Sequence, residues 1–276
     1  MPEIARIEAI KNVKGFYNVT FSNADGSEQS LEVQEDVLVQ AGLHKGQQLS
    51  SAQYTQLLHE AGTVLAYRAG LRFLSYRMRS KMEMRGYLQK KMFTSTQIMA
   101  AMERFSSEKL LDDRAFALSF VRTRMELSTK GPQLVYRELL QAGIAQDIAE
   151  AACELYSADV QLDHARKYLA KQAASVKNKK SAAEARLVLS RLLMQRGYEQ
   201  AVSAQVIEEI ADFLADNEKN ALIYQAEKAA QKYKKLSGDD ARVKIRAYLY
   251  QKGFSADAIT ALLSDGDSQS PASDWG

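Results

Sequence analysis

"VYRELLQAGI" (135–144) decides how this chain folds, because the same ten-residue pattern returns three more times. The other copies are "MRGYLQKKMF" (84–93), "LSRLLMQRGY" (189–198) and "IRAYLYQKGF" (245–254). Met84, Val135, Leu189 and Ile245 share one column, and Leu88, Leu139, Leu193 and Leu249 share the column four residues on. Apolar residues spaced by four lie on one face of a helix. Phe93, Ile144, Tyr198 and Phe254 close the pattern, each preceded by Met92, Gly143, Gly197 or Gly253. A glycine there ends the helix in the left-handed conformation. Met92 breaks the column, and a non-glycine residue in that conformation costs about 1 kcal/mol. Either that turn is strained or the first copy ends its helix differently. The offsets are 51, 54 and 56 residues, which marks a repeat array.

Each copy has one grammar. A long helix comes first, over roughly 66–79, 113–127, 160–175 and 217–235. A short second helix carries the columns. "SKME" (Ser80–Glu83) and "SAAE" (Ser181–Glu184) are capping boxes, Gly131-Pro132 puts proline in a first turn, and Asp239 is placed to cap the fourth. A third helix follows, opened by "TSTQ" (Thr94–Gln97) in the first copy and Ser255 in the last. Three such helices cannot bury their apolar faces alone, so stacked neighbours share a core.

The first fifty residues differ. "FYNVTF" alternates Tyr17, Val19 and Phe21 with polar neighbours, "NADG" (Asn23–Gly26) is a turn, and "SLEVQ" returns with Leu31 and Val33 on one face. "PEIARIEAI" supplies a third strand, and "SSAQ" (Ser50–Gln53) starts a helix. The expected class is mainly α: tandem three-helix repeats with a small N-terminal β segment. The expected boundaries are 1–50 for that segment and 51–105 for a linking helix with the first repeat. Repeats at 106–156, 157–213 and 214–263 follow, then a polar, disordered tail at 264–276 with Trp275 solvated.

With the motif laid out, the chain resembles the RecX family, regulatory modulators of the RecA recombinase. The resemblance rests on "YRMRSKMEMRGYLQKKMF" (76–93), "LLDDRAFALSFVRTR" (110–124), "KGPQLVYRELLQAGI" (130–144), "LLMQRGY" (192–198) and "YLYQKGF" (248–254), and covers about 65–263. "EDVLVQAGLHKGQQLS" (35–50) is similar to the front end of longer members from Gram-positive bacteria. Met92 for the usual glycine, and Lys81-Met82 where the family often shows an acid, depart from the pattern. The resemblance implies an elongated, curved array that binds the RecA filament on single-stranded DNA. It implies that the protein mostly restrains the filament's ATPase and strand exchange, with no catalytic residue of its own; a monomer without a cofactor is expected.

The residues themselves offer little chemistry. His44, His59 and His164 lie far apart without metal-ligand spacing. No phosphate loop, dinucleotide fingerprint or nucleophile elbow is present. The lone Cys153 reads as a core residue and fits a reducing cytoplasm; no leader and no membrane-spanning run is expected. Asp112 and Asp113 are adjacent, so on a helix their side chains diverge, and they read as a helix start rather than a metal site. Tyr76, Tyr87, Phe105, Phe116, Phe120 and Tyr136 read as core at helical spacing.

Charge is polarised. Residues 1–66 hold four Lys/Arg against eight Asp/Glu, and the remainder hold 33 against 26. Residues 67–91 carry eight cations with Glu83 alone, and residues 164–198 carry nine with Glu184 alone. Arg77-x-Arg79 is echoed by Arg122-x-Arg124, each at the end of a long helix. Guanidinium forks grip carboxylate or phosphate at two points. The expected contact set for RecA or DNA is Arg72, Arg77, Arg79, Arg85, Arg122, Arg124, Lys130 and Arg137, with direct, weak nucleic-acid binding as a further possibility. Replacing Arg77 and Arg79 by alanine is expected to weaken regulation and leave helix content unchanged. Two other functions fit a helical array: a stand-alone helix-turn-helix DNA binder and a protein scaffold with no tie to nucleic acid. The third helices argue against the former, since "STQIMAAMERF" and "AQDIAEAACEL" offer few side chains that reach base edges.

Overall fold

The computed structural model describes residues 1–23 and 26–268. The expected tail beyond Ser268, including Trp275, lies outside the described residues, and so do Ala24 and Asp25 of the hairpin turn. The chain divides into two compact units. One is Met1–Ser119 with Leu139–Ala149, and the other is Phe120–Glu138 with Glu150 onward.

The first unit opens with an antiparallel sheet of β1 (Glu3–Ala9), β2 (Phe16–Ser22) and β3 (Glu28–Gln34), in that order. Val19 sits opposite Ile7 on one side and Leu31 on the other, which places the alternating apolar residues on one face. A short helix α1 (Glu35–Gln40) leads to α2 (Ser51–Leu74), which starts with a complete Ser50–Gln53 capping box. A three-stranded sheet needs something to pack on. The front of α2 provides it: Leu57 and Ala61 close over Ile4, Val19, Phe21 and Val33, and Tyr54 meets Phe21 edge-on at 5.1 Å.

The back of α2 is the long helix of the first copy. It packs with α3 (Lys81–Lys90) and α4 (Ser95–Ser107) around Met84, Leu88, Ile98, Met102 and Phe105. Gly70 of α2 is a glycine of necessity, because the Phe105 ring occupies the place of a Cβ. The second copy comprises α5 (Asp113–Leu127), α6 (Pro132–Gln141) and α7 (Gln146–Cys153); α5 and α6 run across the boundary between the units.

In the second unit, α8 (Ala158–Val176), α9 (Ala182–Gln195) and α10 (Gln200–Glu208) enclose Leu169, Leu189, Leu193, Tyr198 and Val206. An additional short helix, α11 (Ala211–Asp216), adds Leu214 to that core. The last copy is α12 (Glu218–Tyr233), α13 (Gly238–Gln251) and α14 (Ala256–Ser268), around Leu222, Ile245, Leu249, Phe254 and Ile259. α14 continues to Ser268, past the Ser264 at which the sequence reading starts its tail.

The repeat columns hold in three dimensions. Met84, Val135, Leu189 and Ile245 are buried, as are Leu88, Leu139, Leu193 and Leu249. All four second helices end alike, with Met92, Gly143, Gly197 and Gly253 at φ of 65°, 80°, 95° and 85°. The next amide bonds back to the carbonyl five residues earlier in each case: Phe93 to Leu88, Ile144 to Leu139, Tyr198 to Leu193 and Phe254 to Leu249. Met92 therefore takes the strained conformation rather than ending its helix differently.

The same joint recurs between copies. Ser80, at the start of α3, donates its hydroxyl to the carbonyl of Ala142 at the end of α6. Gly131 N–H, at the start of α6, donates to the carbonyl of Arg196 at the end of α9 at 2.9 Å. Ser181, at the start of α9, donates to the carbonyl of Lys252 at the end of α13. The glycines fit these joints. A Cβ on Gly143 would overlap Met82, one on Gly197 would overlap the Leu134 backbone, and one on Gly253 would crowd Ser181. No earlier copy lies against Met92, whose side chain is 88% exposed, and this is why the first copy tolerates a side chain there.

An acid from the next copy completes two of the joints. Asp113 accepts from the first amide of α3, Lys81 N–H, at 2.9 Å, and Glu218 accepts from the first amide of α9, Ala182 N–H, at 2.6 Å. The matching position in α6 is Pro132, which has no amide to satisfy.

Candidate functional site

Among the described residues, no group of three His, Cys, Asp or Glu side chains comes together to hold a metal ion. The Cys153 thiol is pushed up to about 11 by burial, which suppresses the reactive thiolate. Asp112 caps α5, accepting from the Arg114 and Ala115 amides at 2.8 and 3.1 Å. With Asp113 placed in the joint, both aspartates have structural work. Asp239 does not cap the fourth copy: Ser237 holds the N-cap and Asp239 lies within the first turn of α13. "SAAE" forms half a capping box, because Glu184 turns to Lys180 and Lys252 instead of the cap amide. No helix among the described residues is long and apolar enough to cross a membrane.

The eight expected contact residues fall into two classes. In the first unit, Arg77 lies past the end of α2, not within it, and grips both Glu83 oxygens at 2.7 and 3.1 Å. Glu83 belongs to the α3 capping box, so Arg77 braces a helix start. Arg79, also beyond α2, stacks over the Phe73 ring at 3.8 Å, and burial, with Arg77 nearby, lowers its proton affinity. Arg72 and Arg85 are exposed and engage no described residue.

In the second unit, Arg124 and Lys130 converge on Glu138: Arg124 Nε lies at 2.8 Å, and Lys130 forms the second ion pair. Burial alone would raise the Glu138 carboxyl, but hydrogen bonds from Lys130 and Arg124 outweigh it and hold it below the ordinary carboxylate range. Arg124 also covers the Phe120 ring at 4.5 Å. Arg122 and Arg137 are exposed and engage no described residue.

The aromatics read as core divide: Tyr87, Phe120 and Tyr136 are only half-buried, and Tyr76 departs outright. Tyr76 is 73% exposed, because α2 ends at Leu74 and helical spacing no longer applies two residues later. Phe105 and Phe116 are buried as expected.

Comparison with known proteins places this architecture. Three family models match, described as RecX first three-helix domain over residues 66–105, second over 112–152 and third over 216–263. A "Regulatory protein RecX" from Oceanobacillus iheyensis is 35% identical over 266 residues, covering 95% of this chain and 97% of the relative. One from Geobacillus sp. (strain WCH70) is 32% identical over 247 residues, covering 90% and 91%. A crystal structure of regulatory protein RecX superposes with a TM-score of 0.61 at 27% identity, over 75% of this chain and all of that one. The relatives match nearly end to end, and the three family models fall on the first, second and last of the three-helix copies. The chain belongs to the RecX family of regulatory proteins.

Proposed function

We propose that this protein binds the RecA nucleoprotein filament on single-stranded DNA and slows its ATPase, recombinase and strand-exchange activity in cytoplasmic DNA repair. It acts as a monomer by occupying the filament, with no catalytic residue and no cofactor of its own. Membership of the RecX family over 95% of the chain carries this reading. The exposed, unengaged guanidiniums of Arg72, Arg85, Arg122 and Arg137 support it, since each has its fork free for an acidic partner. Arg77, Arg79, Arg124 and Lys130 act behind them by fixing the loops and helix ends. RecA ATPase on single-stranded DNA, measured with and without the protein, tests the reading. A fall in rate at stoichiometric protein is expected; an unchanged rate overturns it.

A further inference from the structure

The second helices carry one more pattern, on the side away from the core. Met82, Arg85 and Gln89 lie at i, i+3 and i+7 on α3, all exposed. Leu187, Arg191 and Met194 lie at i, i+4 and i+7 on α9, and Val243, Arg246 and Tyr250 at i, i+3 and i+7 on α13. Gln133 and Arg137 begin the same stripe on α6. Each spacing draws one line along a helix surface. Leu187, Val243 and Tyr250 are 61%, 67% and 68% exposed. Arg85, Arg137, Arg191 and Arg246 follow their core-column residues by one or two positions, and none engages a described residue. Every second helix therefore offers one free arginine in the same turn, and three of the four have an exposed apolar residue one turn before it.

Within the second unit these stripes belong to helices that meet end to end. The end of α13 sits on the start of α9 through Ser181, and the end of α9 sits on the start of α6 through Gly131. The three arginines thus stand on successive members of one series of helices.

We propose that this outward face of the second helices, with Arg137, Arg191 and Arg246 as its charged anchors, docks an acidic protein surface. This rests on the filament-binding reading above and names the face that makes the contact. The chemistry selects protein over nucleic acid. The four stripe cations are arginines, whose fork grips a carboxylate or a phosphate at two points, so the apolar residues beside them make the distinction. Exposed leucine, valine, methionine and tyrosine between them match the core of a protein interface, where Arg, Met and Tyr are enriched and Lys is depleted. Aliphatic side chains have no role along a phosphate backbone. Arg191 and Arg246 thereby join Arg137 as contact residues of the second unit.

The test uses the full chain and a RecA filament assembled on single-stranded DNA, with single-stranded DNA alone as a second probe. Two variants are compared with the native protein: Arg137, Arg191 and Arg246 all changed to alanine, and the same three changed to lysine. These side chains are exposed and unpartnered, so circular dichroism is expected to be unchanged. Both variants are expected to lose roughly a hundredfold in filament affinity, the scale of removing several interface arginines. Lysine should fail to rescue because it keeps the charge but lacks the fork. Full binding by the lysine variant, with a parallel loss of DNA binding in the alanine variant, would overturn the protein-surface assignment in favour of a phosphate contact. Filament binding by the alanine variant within twofold of native would overturn the face itself and leave the filament-binding reading standing. If the native protein bound no filament, both would fall.

Discussion

The hydroxyl of Ser80 donates to the carbonyl of Ala142 at 2.6 Å while accepting from the Glu83 amide at 3.1 Å. One buried oxygen thus caps α3 and fastens the end of α6 to it. Ser181 does both jobs for α9 and α13. Ser80→Ala should lower unfolding stability by about 2 kcal/mol, a lost cap plus a buried carbonyl left unpaired. Urea unfolding measures this, and a loss below a few tenths would show that the joint is not held by this hydroxyl.

The left-handed column makes a paired prediction. Gly197→Ala should cost about 3 kcal/mol, from strain at φ 95° and from a Cβ pressed on the Leu134 backbone. Met92→Gly should range from neutral to about 1 kcal/mol stabilising, since relief of strain is partly offset by the greater freedom of an unfolded glycine. Thermal unfolding of the two variants should move in opposite directions or leave only the first displaced; equal losses would contradict the open environment of Met92.

Arg122 and Arg124 separate contact from support. Arg124→Ala should destabilise by about 1 kcal/mol, because Glu138 keeps only Lys130 and Phe120 loses its cover. Arg122→Ala should leave stability unchanged and weaken RecA inhibition. The double replacement of Arg77 and Arg79 is not the clean contact test that the sequence suggests: loss of the Glu83 clamp and the Phe73 stack should lower stability as well. Denaturation curves run beside ATPase assays resolve the two effects, and an unstable Arg122→Ala would remove it from the contact set.

Acid should loosen the third copy first. Burial lowers the His164 pKa below 6.5, with Asp163 opposing and Lys167 assisting, and its Nδ1 has no hydrogen-bond partner among the described residues. The unfolded chain therefore takes up the proton before the folded one does. The His164 contribution is full above about pH 6.5 and is lost as pH falls from there. Urea midpoints between pH 7.5 and 5.5 should fall, and His164→Leu should flatten that part of the curve; an unchanged slope in the variant would assign the loss elsewhere.

The fold was legible where a signal repeats. Four copies of an apolar i, i+4 pair and a terminal glycine made the helices, their order and their ends readable, and α5 begins and ends as read, at Asp113 and Leu127. The end of α2 was not, because Tyr76 continues the apolar spacing beyond Leu74 although the helix has stopped. The candidate surface was half legible. Composition shows which stretches are basic, but not which cations already hold a partner. Glu138 lies eight residues from Lys130 and fourteen from Arg124, and only the folded chain brings the three together. The roles of Asp113 and Glu218 were hidden for the same reason: each satisfies an amide more than thirty residues away.

The joints between copies are made of carbonyls, a cap residue and the space left by an absent side chain. Apart from Met82, which lies against Gly143, they place little demand on what the helices display outward. A chain fastened this way can vary its exposed residues copy by copy without loosening its linkage, as Gln133, Leu187 and Val243 already differ at one shared position. The attachment repeats in kind while the displayed residues vary.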